Sequence, residues 1–105
     1  MTASLYNRQL RSLLSAKRTE LESVCRRYGA SEVKVFGSVA RGDAGPDSHI
    51  DLMVSIDGPD YEQVMSMLGL GEELSELLGR HVDVVARGVA NEAVSATAHA
   101  DMVDV

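Results

Sequence analysis

The chain has 105 residues, which suits one domain with a single hydrophobic core, and we predict that residues 1–105 form that domain. Apolar residues make up 45% of the sequence and charged residues 25%, a composition typical of globular rather than disordered proteins. The net charge of −6 argues against a broad basic surface, so direct binding to nucleic acid is not expected.

Neither a membrane span nor a signal peptide is predicted. The sequence has no run of about 18 apolar residues, and its N-terminus lacks the apolar stretch of a secretory signal. The single cysteine, Cys25, cannot form an intramolecular disulfide and is interpreted as a small core residue within a helix. We therefore expect a cytoplasmic protein without membrane contact.

The first predicted elements are a helix over residues 4–28 and a short strand over residues 32–36. Gly29 is expected to end the helix as a left-handed cap residue. The apolar residues of the helix recur at spacings of three and four and form one stripe: Leu10, Leu13, Leu14, Leu21, Val24, Cys25 and Tyr28.

A second helix is predicted over residues 61–78, with Asp60 as its N-cap and Gly79 as its C-terminal cap. Gly69 and Gly71 should each weaken it by about 1 kcal/mol and allow a local kink. Its apolar residues are again expected to share a helical period: Val64, Met65, Leu68, Leu74, Leu77 and Leu78.

Strands are predicted over residues 49–56 and 81–85, before and after the second helix. The C-terminal part reads as a weak helix over residues 92–98 followed by an extended segment over residues 102–105. This order of elements predicts a small α+β fold in layers, with a mixed β-sheet covered by helices.

The most informative segment lies between Phe36 and Val54 and reads F-G-S-V-A-R-G-D-A-G-P-D-S-H-I-D-L-M-V. The first strand leads into Gly37-Ser38 and then into a helical turn, so backbone N–H groups at the start of that turn can bind an anion. Ser38 adds a hydroxyl donor and Arg41 a cation. Taken alone, a Gly-Ser turn is more often an ordinary helix cap.

With the residues that follow, the segment resembles the signature of the DNA polymerase β-like nucleotidyltransferase superfamily. The pattern G-S-x-A-R-G, then a turn and S-x-x-D-L-x-V, is similar to that of its minimal members, the MNT-domain proteins that are often paired with HEPN-domain toxins. The resemblance implies that Gly37 and Ser38 hold the triphosphate and that Arg41 assists with its charge. It also implies that acidic residues on the second and third strands hold divalent metal ions.

The geometry of strands agrees with this reading. Residues two apart on a strand project to the same face, so positions 49 and 51 point together, and Asp83 can join them if its strand is a neighbour. Asp51 stands between apolar residues, where an unpaired carboxylate would be costly, so a site role is favoured over a solvated one. Metal ions there would offset the phosphates of a nucleotide and the acidity of the chain.

Position 49 departs from the family pattern, which expects Asp where this chain has His49. A neutral imidazole offers one lone pair and suits softer metals, whereas Mg²⁺ prefers oxygen donors. Three interpretations stay open: an enzyme in which His49 binds a softer metal or acts as a base, a binding module with most catalysis lost, or a residue changed to silence the enzyme. Asp47 is a poor substitute because it lies before the strand. His81 and His99 lack the spacing of a zinc site, and His81 is predicted to be a surface residue.

The resemblance implies an antitoxin that transfers AMP from ATP to a tyrosine of a HEPN-domain toxin, with which it forms a hetero-oligomer. Its cofactors would be ATP and Mg²⁺ or Mn²⁺, bound more weakly because of His49; its catalytic and metal-binding residues would be His49, Asp51 and Asp83. An alternative is neutralisation of the toxin by binding alone. A weaker alternative, modification of a small-molecule hydroxyl, usually requires an additional domain for which 105 residues leave no room.

Overall fold

The computed structural model describes residues 5–42, 44–45, 49–88 and 103–105. The described helices are α1 (Leu5–Ala16), α2 (Arg18–Arg27), α3 (Gly37–Arg41) and α4 (Asp60–Leu78); the described strands are β1 (Ala30–Phe36), β2 (Ile50–Ile56), β3 (Val82–Ala86) and β4 (Val103–Asp104). The helix predicted over residues 92–98 lies outside the described residues, as do Asp43, Asp47 and His99. Among the described helices, none combines the length and the apolar character that a membrane span requires.

The strands form one mixed sheet in the order β3-β2-β1-β4, which confirms the predicted fold class. Strand β1 pairs antiparallel with β2 and with β4, whereas β2 and β3 run parallel. The parallel pair is joined through α4, as a parallel connection requires a crossover. Sheet residues on one face pack with the helices into a core that includes Leu14, Leu21, Val35, Leu52, Val54, Leu70, Leu74 and Val84.

The predicted first helix is divided at Lys17, so the expectation of one continuous helix over residues 4–28 was wrong. Leu14 is the last buried position of α1, and the positions three and four residues later are Lys17 and Arg18, which interrupt the apolar stripe. Both helices can then place leucines in the core. Gly29 follows α2 with φ +70°, in the predicted left-handed conformation.

Helix α4 differs from its prediction in two respects. Its N-cap is Pro59 rather than Asp60, which instead lies in the first turn, where a negative charge is favourable. Its buried residues are Gln63, Leu70, Leu74 and Leu78, whereas Val64, Met65 and Leu68 are exposed on another face. The apolar residues of α4 therefore lie on two faces instead of one stripe, and only one of these faces packs in the core. The helix continues through both glycines, and Gly79 caps it as predicted.

Candidate active site

The turn between β1 and α3 lies directly against Asp51. Phe36, the last residue of β1, pairs with Asp51 of β2, and Gly37 follows with φ +73°. A Cβ atom on Gly37 would fall on Asp51 Oδ2 and lie 3.2 Å from its Cγ. Glycine is thus required here both by the left-handed backbone and by the close approach of the carboxylate.

The parallel register places Asp51 of β2 opposite Asp83 of β3. Both side chains lie on the sheet face opposite to the one that packs on the helices, because they alternate with the buried residues of their strands. His49, two residues before Asp51, joins them: its Nε2 atom is 2.7 Å from Asp83 Oδ2 and 3.3 Å from Asp51 Oδ1. The structure therefore brings together the residues expected to form the site, although their roles remain predictions.

Asp51 is the most enclosed member of this cluster, with 21% of its side chain exposed against 46% for Asp83. Burial is the largest influence on Asp51 and raises the pKa of its carboxyl group; Asp83 also raises it, while His49, Arg41 and His81 act in the opposite direction. A bound cation would favour the ionised form that burial disfavours. Shifted carboxyl groups of this kind are common at functional sites.

His81 belongs to the same cluster, which the sequence did not predict. Its side chain is 68% exposed, as a surface residue should be, but its Nε2 atom lies 2.8 Å from Asp83 Oδ1. Its ring is edge-to-face with that of His49, with the centroids 5.2 Å apart. One signal was available: both strands begin with the same His-x-Asp spacing.

The phosphate-binding residues predicted from the motif lie on α3, a single helical turn of which Ser38 is the second residue. The first N–H groups of a helix have no acceptor within it. Arg41 is exposed at the other end of this turn, close enough for its charge to lower the pKa of Asp51. The Gly37-Ser38 turn, the Arg41 guanidinium and the Asp51 carboxylate are thus neighbours, and phosphate binding by the first two stays a prediction.

The donors of the cluster fit a divalent cation. One ligand atom each from His49, Asp51 and Asp83 lies within 4.8 Å of the others, so these side chains converge without a change of backbone. The set differs from a purely carboxylate site, which would suit Mg²⁺ better. An open groove of about 670 Å³ runs from Tyr28 and α4 to His81 and Asp83, so the cluster is reachable from solvent.

The sequence matches a known domain family over most of its length. A model of the nucleotidyltransferase domain matches residues 18–102. The protein adenylyltransferase MntA of Thermococcus cleftensis is 36% identical over 98 residues, which cover 90% of this chain and 91% of that protein.

Solved structures show the same fold. A structure described as a candidate minimal nucleotidyltransferase has a TM-score of 0.72 and 34% identity, and the match covers 88% of this chain and 92% of that one. A toxin–antitoxin structure with AMP-PNP has a TM-score of 0.68 at 20% identity, and a mutant MntA–HpeT toxin–antitoxin structure 0.67 at 19%; each match covers 81% of this chain and 68% of the other. These two share the fold. The chain belongs to the nucleotidyltransferase domain family and has the fold of its minimal members.

Proposed function

We propose that the chain is the antitoxin of a toxin–antitoxin pair and that it neutralises a cytoplasmic HEPN-domain toxin by transferring AMP from ATP to a tyrosine of that toxin. The observation that carries the proposal is the position of Asp51 and Asp83 side by side, against the Gly37 turn. The adenylyltransferase name of the Thermococcus relative supports the reaction, and the toxin–antitoxin structures with the same fold support the setting.

Each residue of the site has a separate part in this proposal. The backbone around Gly37 and the Ser38 hydroxyl would bind phosphate oxygens, and the Arg41 guanidinium would add positive charge beside them. Asp51 and Asp83 would hold a divalent cation, which supplies charge that neutralises phosphate oxygens. No nucleophile from this chain is required, because the tyrosine hydroxyl of the toxin would lose its proton and attack the α-phosphorus of ATP, and pyrophosphate would leave.

His49 lowers the efficiency that we expect of this site in Mg²⁺. It stands where the family pattern has a carboxylate, and it contacts both remaining carboxylates, at 2.7 Å and 3.3 Å. The imidazole therefore competes with Mg²⁺ for Asp51 and Asp83, and it lacks the negative charge that an Asp carboxylate would contribute. Transfer should be slower in Mg²⁺ than it would be with Asp at this position.

The reaction is tested with labelled ATP, a divalent cation and the toxin encoded beside the gene for this chain. The wild type should label a toxin tyrosine, His49→Asp should label it faster in Mg²⁺, and Asp51→Asn should not label it. Absence of label with both the wild type and His49→Asp, in Mg²⁺ and in Mn²⁺, would show that the proposed transfer is wrong.

A second candidate, neutralisation by binding alone, is favoured by one face of α4. Tyr61, Val64, Met65 and Leu68 follow a helical spacing and are all exposed, with 75% of Tyr61 and 54% of Met65 accessible. Contiguous exposed apolar residues on a small protein often mark a contact surface for another protein. We call this exposed surface the α4 apolar face, and we propose that the same toxin binds to it.

Two variants distinguish neutralisation by binding alone from neutralisation by AMP transfer. If binding is sufficient, Asp51→Asn should still neutralise the toxin, whereas Met65→Glu on the α4 apolar face should fail to capture it. Glu20→Ala, at an exposed position on α2, serves as the control. Neutralisation that is lost in Asp51→Asn while the complex still forms would exclude this candidate.

A further inference from the structure

The described residues contain a repeated element that the nucleotidyltransferase motif does not explain. His49-Ile50-Asp51 leads into β2 and His81-Val82-Asp83 leads into β3, with the same spacing. Because these strands are parallel and Asp51 pairs with Asp83, the two histidines are brought side by side at the same edge of the sheet. Their ring centroids are 5.2 Å apart.

Both histidines point the same ring nitrogen at the same carboxylate. The Nε2 atoms of His49 and His81 are 2.7 Å and 2.8 Å from the two oxygens of Asp83. His49 Nε2 is also 3.3 Å from Asp51 Oδ1. His49, Asp51 and Asp83 thus each offer one ligand atom within 4.8 Å of the others. His81 contacts this group through the second oxygen of Asp83, and both imidazoles are accessible from solvent.

We propose that His49, Asp51 and Asp83 form a mixed nitrogen–oxygen site that takes a first-row transition-metal ion, such as Zn²⁺ or Co²⁺, in preference to Mg²⁺. His81 positions the Asp83 carboxylate for this ion. The inference rests on the proposed function for the assignment of Asp51 and Asp83 to a metal, and it adds the class of ion and His81 as a positioning residue.

The chemistry of the donors decides the preference. Mg²⁺ requires oxygen ligands, usually keeps several waters and gains little from imidazole, whereas Co²⁺ and Zn²⁺ bind imidazole and carboxylate together. Two carboxylates also balance the charge of one divalent ion, so the site needs no third acid. His49 in place of the family's Asp thus changes which metal ion the site prefers and does not only lower the affinity for Mg²⁺.

The test uses the untagged full chain after chelator treatment and removal of the chelator. Calorimetry with Zn²⁺, Co²⁺ and Mg²⁺ should show one Zn²⁺ or Co²⁺ per chain, bound at least about 100-fold more tightly than Mg²⁺. His81→Ala and His49→Ala should each weaken Zn²⁺ binding by at least roughly tenfold. Both variants should also alter the visible spectrum of the Co²⁺ form, because His49→Ala removes a ligand and His81→Ala releases the Asp83 carboxylate, and that spectrum reports on the ligands and their geometry.

Glu20→Gln, which removes an exposed carboxylate elsewhere, should leave affinity and spectrum unchanged. His49→Asp should narrow the preference for Zn²⁺ over Mg²⁺ toward that of an oxygen site. The inference is overturned if Mg²⁺ binds the wild type as tightly as Zn²⁺, or if folded His81→Ala keeps both the Zn²⁺ affinity and the Co²⁺ spectrum. Because no nucleotide or toxin is present, this result is independent of whether AMP transfer occurs.

Discussion

At the scale of single residues, the site depends on the close approach of the Gly37 backbone to the half-buried Asp51 carboxylate. Strand alternation was enough to predict that positions 49 and 51 share a face. The contribution of His81 could not be predicted in the same way. This exposed histidine reaches the site only because β2 and β3 pair in a register that places Asp51 opposite Asp83, 32 positions later in the sequence. That register is a property of the fold and not of either strand.

Gly37→Ala should abolish nucleotide binding because its Cβ would fall on the Asp51 carboxylate. The left-handed backbone at Gly37 should additionally cost roughly 1–2 kcal/mol of stability. ATP calorimetry in the presence of a divalent cation, together with thermal unfolding, measures the two effects.

Gly79→Ala is the matched control for that change. Gly79 has φ +65° and open space around its Cβ position, so its substitution carries the backbone cost without the contact to Asp51. We expect a similar loss of stability and unchanged ATP affinity. Equal losses of ATP affinity in both variants would contradict the role assigned to Gly37.

Cys25 provides a pH-dependent prediction. Burial, and secondarily the charge of Glu22, raises the pKa of its thiol from 9.0 to about 11. The folded state thus holds this proton more tightly than the unfolded state. The contribution of Cys25 to the free energy of unfolding is therefore constant below pH 9, and stability is lost as the pH rises from about 9 to about 11. The full loss is on the order of 3 kcal/mol.

Urea unfolding of the wild type and of Cys25→Ala at a series of pH values from 8 to about 11 isolates this contribution. The variant should be less stable at pH 8, because a buried side chain is shortened, but its stability should fall less steeply above pH 9. Parallel pH profiles would contradict the burial of an uncharged thiol.

At the scale of elements, hydrophobic periodicity located the helices but not their burial. It merged α1 and α2, although the charged pair Lys17-Arg18 marks the break, and it assigned the exposed Val64, Met65 and Leu68 to the core. A helix that has one buried and one exposed apolar face carries a periodic signal for both. Which face enters the core depends on the sheet on which the helix packs.

The two glycines of α4 should differ in their response to alanine. Gly71 has room for a Cβ, with its nearest neighbour, the Val82 carbonyl oxygen, at 3.5 Å, so Gly71→Ala should stabilise the protein by up to about 1 kcal/mol. Gly69 packs under the Tyr28 ring, where a Cβ would lie 2.8 Å from a ring carbon. Gly69→Ala should therefore lose that gain by displacing Tyr28 from Glu73, to which its hydroxyl donates a hydrogen bond of 3.1 Å. Thermal unfolding compares them, and a larger stabilisation from Gly69→Ala would contradict this packing.

At the scale of the whole molecule, the fold explains how an acidic chain could bind a nucleotide at the proposed site. The β2-α4-β3 crossover makes two strands parallel neighbours, and the turn after β1 closes over one end of that pair. The family and the layered fold were predictable from the motif and the order of the elements. The strand order β3-β2-β1-β4 was not, because it depends on long-range pairing that local patterns do not encode.

Modification of a partner toxin by this site is tested by the intact mass of that toxin, purified from cells that also produce this chain. We predict a toxin heavier by AMP on a tyrosine with the wild-type chain, and an unmodified toxin with Asp51→Asn. An unmodified toxin with the wild-type chain, in cells that nevertheless survive its production, would contradict transfer and leave neutralisation to binding alone.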